Sequence, residues 1–183
     1  MSVVVCVFLR DAELLRFEDW QRALDEAGSG VRLEDISPRD HSGFWPALFN
    51  GQPCGFEYSF APIDADSEDD FRSHIGDRDR VVDFVWHGNE LDMRAGLQAA
   101  AALAKLTDGI YFDPQGGGFA QGENVYQLLQ QQDADERDRR MRLAEKKWGH
   151  TTSRRCPQGG APCPEYRNKC SVCEYELGRV AGT

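Results

Sequence analysis

The hydrophobic and polar positions of the chain change period several times, and the changes predict alternating strands and helices. Residues 2–9, "SVVVCVFL", form a continuous β-branched run that is typical of a buried strand. Trp20 and Leu24 then lie one helical turn apart, which predicts an amphipathic helix that ends near Gly28. Residues 31–36, "VRLEDI", alternate as a short strand does.

The next elements form a predicted β-hairpin. Two apolar runs, residues 44–49 and 56–60, flank the sequence "NGQPCG", and Asn50-Gly51 is a strong signal for a hairpin turn. Pro46 should place the first run at a sheet edge or a bulge. Alternation along the strands should turn half of the aromatic side chains to the core and half to the opposite side, unless helices cover both sides. These aromatic residues are Phe44, Trp45, Phe49, Phe56, Tyr58 and Phe60.

The second half of the body alternates in the same way. "VVDFVWHG" predicts a strand, an alanine-rich stripe over residues 90–107 predicts a helix, and "IYFD" predicts another strand that ends in the loop "PQGGG". A long polar helix from about residue 123 to 147 follows, and no periodicity is visible beyond His150. The order predicts an α+β fold with a mostly antiparallel sheet and helices packed on one face. It divides into a body, residues 1–149, and a cysteine-rich tail, residues 150–183.

Charge is distributed unevenly along the 183 residues, whose formal net charge is −10. Residues 1–133 carry 24 acidic and 10 basic side chains, whereas residues 134–183 carry 7 acidic and 11 basic ones. An acidic body argues against direct binding of nucleic acid and suits a basic protein partner, although the charge can also serve solubility alone. The apolar start is too short for a membrane span and lacks the features of a signal peptide, which predicts a cytosolic protein with reduced thiols.

The tail holds four of the six cysteines, with a six-residue spacing twice and then a C-x2-C pair. Zinc takes four soft ligands in a tetrahedron and can fold a segment that has no core of its own. The sequence therefore predicts a structural zinc ion, with His150 as a possible substitute ligand. Disulfides and free thiols are the alternatives, and an iron–sulfur cluster is a further one, although the spacing matches neither ferredoxin pattern. The predicted ligands are Cys156, Cys163, Cys170 and Cys173.

Catalytic residues have a weaker signal. His87 at a strand end could act as a general base oriented by Glu90 or Asp113, or it could be a surface residue next to a helix capped by Asn89. Cys54 in the hairpin is a weak candidate nucleophile. The sequence has neither a Gly-x-Ser-x-Gly elbow nor a His-Glu-x-x-His motif.

Protein binding has two candidate determinants. Exposed aromatic residues of the hairpin, beside a run of carboxylates that follows it, would make a docking patch. The candidate residues are Trp45, Phe56, Tyr58, Asp64, Asp66, Glu68, Asp69 and Asp70.

Three stretches together resemble immunity proteins that bacteria encode beside secreted polymorphic toxins. They are "DWQRALDEAG", "SGFWPALFNGQPCGFEYSF" and "VDFVWHGNELDMRAGLQAAAALAKLTDGIYFDPQGG", which span about residues 19–115. The resemblance implies a single α+β domain that binds and blocks a basic toxin domain in the cytosol without catalysis. The alternatives are a small hydrolase or transferase that uses His87, Glu90 and Asp113, and an adaptor that carries zinc.

Overall fold

The computed structural model describes most of the first 148 residues and short stretches beyond them. The described residues are 3–63, 72–116, 118–122, 124–148, 155–158, 160–163, 170 and 172. Contacts divide the chain into two compact units, residues 1–128 and residues 129–183.

The strands and helices follow the predicted alternation with one addition. Their order is β1 (Val3–Leu9), α1 (Phe17–Glu26), β2 (Val31–Leu33), β3 (Gly43–Phe49), β4 (Gln52–Pro62), β5 (Arg80–Trp86), α2 (Glu90–Leu106), β6 (Ile110–Asp113), β7 (Gly118–Gln121) and α3 (Asn124–Trp148). A short 3-10 turn, Asp11–Glu13, precedes α1, and residues 72–75 form one helical turn.

Within the described residues, the strands form one seven-stranded sheet in the order β2-β3-β4-β5-β1-β6-β7. Every neighbouring pair is antiparallel. This arrangement confirms the predicted α+β class and the mostly antiparallel sheet. Strand β7 was not predicted, because the three consecutive glycines indicate a loop and Phe119 is the only large apolar residue of the strand.

Helices α1 and α2 pack on the same face of the sheet. The indole of Trp20 on α1 is fully buried, makes an edge contact with Phe84 of β5 (ring centroids 6.0 Å apart), and donates a hydrogen bond to the Ala99 carbonyl of α2 (3.0 Å). The alanine-rich side of α2 is buried, and Gly96 brings the helix so close that an added Cβ would lie 3.1 Å from the Trp86 ring. Small side chains on α2 therefore let the large aromatic rings of the sheet fill the core.

The ends of α1 and α2 follow the signals in the sequence. Gly28 adopts a left-handed conformation (φ 61°) just after α1, and Asn89 caps α2 by accepting a hydrogen bond from the Leu91 amide (3.0 Å). Asp108 also has a positive φ of 47°, and the Gly109 amide donates to the Ala104 carbonyl (2.8 Å) to close α2.

The division of the chain differs from the boundary that the sequence predicts after residue 149. It falls after Leu128, inside α3, so most of this helix belongs with the tail. In the second unit, Met141 and Trp148 of α3 pack against a cluster that contains three of the tail cysteines. These contacts explain why the division falls after Leu128. The few apolar residues of the helix do not reveal such contacts in the sequence.

Candidate functional site

The hairpin of β3 and β4 separates its aromatic side chains by register. Asn50 and Gly51 have positive φ angles of 51° and 79°, as a two-residue turn between twisted strands requires. The turn pairs Phe49 with Gln52, so Trp45 lies opposite Phe56 and Phe44 lies opposite Glu57. Because successive side chains alternate, Trp45 and Phe56 share one face of the sheet, and Phe44 and Glu57 share the other.

Three of the predicted docking residues lie on the face of the hairpin that packs against α1 and α2. Trp45, Phe56 and Tyr58 are all buried, and the rings of Trp45 and Tyr58 meet nearly edge to face (centroids 4.9 Å apart). The expectation that these three residues are exposed is therefore corrected. Since one register places all three on the helix-covered face, they form the core.

Hydrogen bonds fix these core rings in place. The hydroxyl of Tyr58 donates to the Pro38 carbonyl (2.8 Å), and the indole of Trp45 donates to the Glu34 carbonyl (3.1 Å). The second bond also explains Pro46, which lies in a strand between β2 and β4 and not at the predicted sheet edge. Pro46 has no N–H to offer Glu34 in the β2–β3 ladder, and the Trp45 indole satisfies that carbonyl in its place.

The opposite face of the hairpin carries an exposed apolar patch. Phe44 and Leu48 of β3 are 54% and 38% exposed, although both are large apolar residues. Pro46 lies between them on the same face, and Pro53 lies opposite Leu48 across the strand pair. We call these four residues the outer patch.

The outer patch depends on a glycine in the partner strand. An added Cβ at Gly55 would lie 2.3 Å from Cζ of Phe44 and 2.6 Å from the Trp45 carbonyl oxygen. The Phe44 ring therefore lies directly over Gly55, and this close approach is possible only because the glycine has no side chain. The ring is supported from below while much of its surface remains accessible.

Two shallow depressions flank the outer patch. One, of about 570 Å³, is lined by the patch together with Arg32 and Glu34. The other, of about 470 Å³, is lined by residues that include Glu57, Ser59 and Asp83. The face therefore combines exposed apolar side chains with carboxylates at its sides.

Cys6 lies in the second depression beside Asp83. Burial and the nearby Asp83 carboxylate raise the pKa of the Cys6 thiol, so the thiol is protonated near neutral pH. The Asp83 carboxylate also accepts a hydrogen bond from the Ser59 hydroxyl (3.1 Å). A protonated thiol is a poor nucleophile, and Cys6 is best described as a packing residue.

Cys54 lies in β4 and is partly buried. Burial, together with the Asp92 carboxylate, raises the pKa of this thiol. Asp92 itself accepts a hydrogen bond from the Gly55 amide (3.0 Å). These surroundings do not activate Cys54 as a nucleophile.

The three candidate catalytic residues have separate surroundings. His87 is exposed in the turn after β5, the Glu90 carboxylate pairs with the Arg94 guanidinium (2.7 Å), and the Asp113 carboxylate accepts hydrogen bonds from the Gln115 and Gly116 amides (2.9 and 3.0 Å). Strand β1 lies between β5 and β6, so the strands that precede His87 and contain Asp113 are separated by roughly 10 Å. The positions fit the alternative in which His87 is a surface residue beside a capped helix.

The tail cysteines that the structure describes share one buried cluster in the second unit. Cys156, Cys163 and Cys170 are each almost fully buried, together with Ala161 and Val172. Among the described residues, no group of three or more His, Cys, Asp or Glu side chains is arranged to hold a metal ion. Two ligand candidates of the sequence, Cys173 and His150, lie outside the described residues, so zinc binding stays a prediction.

The acidic candidates cannot be placed on this surface. Asp64, Asp66, Glu68, Asp69 and Asp70 lie outside the described residues, which stop at Ile63 and resume at Arg72. The outer patch is the part of the candidate site that sequence reasoning missed. The only sequence signal for the outer patch is the alternation of side chains along the hairpin strands, and alternation does not indicate which face the helices cover.

Comparison with known proteins adds no assignment. No protein-family profile matches the sequence, and a search of curated proteins finds no significant match. The resemblance to immunity proteins therefore rests on the sequence pattern alone. None of the helices in the described part of the chain is both long enough and apolar enough to cross a membrane.

Proposed function

We propose that this protein is a cytosolic binding protein that neutralises a basic toxin domain by docking the outer patch on it. The observation that carries the proposal is the exposure of Phe44 and Leu48 on the face of the sheet opposite α1 and α2. Large apolar side chains at the surface are typical of the centre of a protein interface, where burial contributes most of the binding energy.

The charge of the chain supports a basic partner. The first 133 residues carry 24 acidic and 10 basic side chains. On the proposed face, the charged residues that line the two depressions are three carboxylates, Glu34, Glu57 and Asp83, and one guanidinium, that of Arg32. Opposite charges around an apolar centre speed association, and they exclude acidic partners such as nucleic acids.

The surroundings of the candidate catalytic residues also favour binding over catalysis. Glu90 and Asp113 are engaged in an ion pair and a turn, and both described thiols of the first unit have raised pKa values. An interface requires none of these groups to react, whereas a hydrolase or a transferase would need His87 to work with one of the carboxylates.

The proposal is tested with the protein encoded immediately beside this chain in its source genome. The two proteins are co-expressed to measure rescue of growth, and their association is measured by surface plasmon resonance. We expect the double variant Phe44→Ala, Leu48→Ala to speed dissociation at least about tenfold, because truncation removes apolar contact at the centre of the interface. Reversal of the charges of residues 64–70 should instead slow association and weaken its dependence on salt.

His87→Ala is the matched control, since His87 is exposed but lies outside the outer patch. It should leave both rescue and the dissociation rate unchanged. Loss of rescue confined to His87→Ala would support the enzyme alternative and would overturn the binding proposal. An unchanged dissociation rate in the double variant would show that the partner docks elsewhere.

A further inference from the structure

Two carboxylates lie close together on the face of the sheet opposite α1 and α2. Glu57 of β4 pairs in register with Val85 of β5, and Asp83 is two residues before Val85 on the same strand. Glu57 and Asp83 therefore share this face as diagonal neighbours, which in antiparallel sheets lie roughly 7–8 Å apart. Like charges at this spacing repel each other unless solvent or a cation compensates them.

Neither carboxylate has a cationic partner in the part of the chain that the structure describes. Glu57 and Asp83 occur in none of the ion pairs between described residues. Elsewhere in the first unit such groups are paired: the Asp11 carboxylate contacts the guanidinium groups of Arg39 (2.9 Å) and Arg80 (3.0 Å). Among the described residues, the charges of Glu57 and Asp83 are thus left uncompensated.

Neutral donors hold the Asp83 carboxylate in position. The Ser59 hydroxyl donates a hydrogen bond to it (3.1 Å), and the Cys6 thiol donates another. An ionised carboxylate has about four lone-pair positions, so these two donors do not exhaust its capacity. Asp83 is therefore oriented by its neighbours and still able to accept from a further donor.

Apolar side chains lie on both sides of the carboxylates. Val4 of β1 pairs with Val85, so the two valines are adjacent on this face, and both are only partly buried. On the other side, Phe44 of the outer patch lies opposite Glu57. The depression of about 470 Å³ is located here, and the described residues that line it include no Lys, Arg or His. The carboxylates are thus continuous with the outer patch and are flanked by apolar surface.

A Lys or Arg side chain has the chemistry that fits this depression. Its aliphatic stem can pack along Val4 and Val85 while its cationic head lies between the two carboxylates. Exposed ion pairs contribute little to affinity, whereas pairs that an interface excludes from water contribute much more. A partner that docks on the adjacent outer patch would exclude water from this depression.

We propose that Glu57 and Asp83 together bind one basic side chain of the partner, beside the contact that the partner makes with the outer patch. This inference rests on the proposed function, because it assigns a group of the partner to the same face. The occupant is a basic protein and not a second copy of this chain, since a second copy also carries a net charge of −10.

The first test measures dissociation of the protein encoded immediately beside this chain, by surface plasmon resonance. Asp83→Asn and Glu57→Gln keep the shape of each side chain and remove its charge, and each should speed dissociation at least about tenfold. The double variant should fall short of the product of the two single effects, because both carboxylates contact the same cation. Glu26→Gln is the matched control, since it removes an exposed carboxylate from α1, and it should leave the rate unchanged.

Urea denaturation separates a binding role from a structural one. Two uncompensated carboxylates destabilise the free protein, so Asp83→Asn and Glu57→Gln should leave the urea midpoint unchanged or raise it. A lowered midpoint with an unchanged dissociation rate in both variants would show that the carboxylates serve the fold, and it would overturn the proposal.

A small probe distinguishes failure of this inference from failure of the proposed function. N-acetylarginine amide is titrated into the full chain and followed by the amide signals of a nuclear magnetic resonance spectrum, with neutral N-acetylcitrulline amide as the control compound. The arginine compound alone should shift the signals of Ser59 and Val85, and Asp83→Asn should weaken this response.

The two measurements together assign each outcome. Normal dissociation of the neighbouring protein from both carboxylate variants would overturn the inference, while the proposed function would stand on the effect of the Phe44→Ala, Leu48→Ala variant. If the neighbouring protein does not bind the natural chain, the proposed function fails and the probe decides the inference. Equal responses to the arginine and citrulline compounds would then reject a site for a basic side chain.

Discussion

Phe44 and Trp45 are consecutive residues of one strand, and they lie in opposite environments. Phe44 is 54% exposed, while Trp45 is completely buried between the sheet and the helices. Their chemistry is similar, so the difference comes from the register of the hairpin and from the position of the helices on one face. The comparison teaches that one short segment supplies both the core and the candidate interface.

The aromatic side chains on the two faces of the hairpin also pack against different partners. On the covered face, the rings of Trp20, Trp45 and Tyr58 pack against one another with centroid distances of 4.9 to 6.1 Å. On the open face, the Phe44 ring lies over the bare backbone of Gly55. The covered face should therefore dominate stability, and the open face should contribute mainly to binding.

The largest expected effect compares Trp45→Ala with Phe44→Ala. Removal of the buried indole leaves a cavity and an unsatisfied Glu34 carbonyl, so we expect a loss of about 3–5 kcal/mol in the free energy of unfolding. Phe44→Ala should cost less than about 1 kcal/mol, because most surface substitutions have small effects. Urea denaturation followed by far-ultraviolet circular dichroism measures both values.

Equal losses in these two variants would contradict the comparison. They would show that the Phe44 ring is as important to the fold as the Trp45 indole, and that the outer patch is not available for binding. Trp45→Phe serves as an intermediate variant if Trp45→Ala does not fold. It keeps most of the ring volume but loses the hydrogen bond to Glu34.

A medium effect is expected at Gly55, where the two faces come closest. Gly55→Ala would place a Cβ 2.6 Å from the Trp45 carbonyl oxygen, which is backbone and cannot rotate away. We expect a loss of about 1–3 kcal/mol in urea denaturation, as is typical of overpacking.

Gly118→Ala in β7 is the matched control for this substitution. Its added Cβ would lie 3.6 Å from the nearest atom, a side-chain methyl of Leu128, which is ordinary contact. The free energy of unfolding should change by less than about 1 kcal/mol in this variant. A similar loss at both glycines would mean that the strand position, and not the approach of Phe44 and Trp45, determines the cost.

Local sequence signals predicted the elements better than their environment. Asn50-Gly51 and Gly28 specify a turn and a helix end through their own backbone preferences, and the structure confirms both. The side of the hairpin that is buried depends on where α1 and α2 pack, which is a long-range property. Trp45 and Phe44 therefore could not be separated by periodicity, although the alternation itself was visible.

Strand β7 was missed for a related reason, and the contact division after Leu128 has no signal in the sequence either. Strand β7 is held by pairing with β6, including Phe119 opposite Phe112, and not by a strong pattern of its own. The second half of α3 has few apolar residues, and its membership in the second unit comes from packing of Met141 and Trp148 against cysteines. The sequence boundary was placed where periodicity ends, near residue 149, and packing against tail cysteines leaves no periodic signal in the helix.

The smallest effect tests whether the covered face depends on polar contacts as well as on shape. Tyr58 and Tyr111 are both buried on this face, and burial raises the pKa of both phenols. The Tyr58 hydroxyl donates to the Pro38 carbonyl, whereas the Tyr111 hydroxyl has no hydrogen-bond partner among the described residues.

Tyr58→Phe should therefore lower the free energy of unfolding by about 1 kcal/mol, since the Pro38 carbonyl is left unsatisfied, and Tyr111→Phe should be neutral or slightly stabilising. Both substitutions remove the same atom from a buried ring, so urea denaturation of the pair isolates the hydrogen bond from packing. If Tyr111→Phe proves the more costly change, its hydroxyl has a partner in the folded protein, and the covered face has a second polar contact that the described residues do not contain.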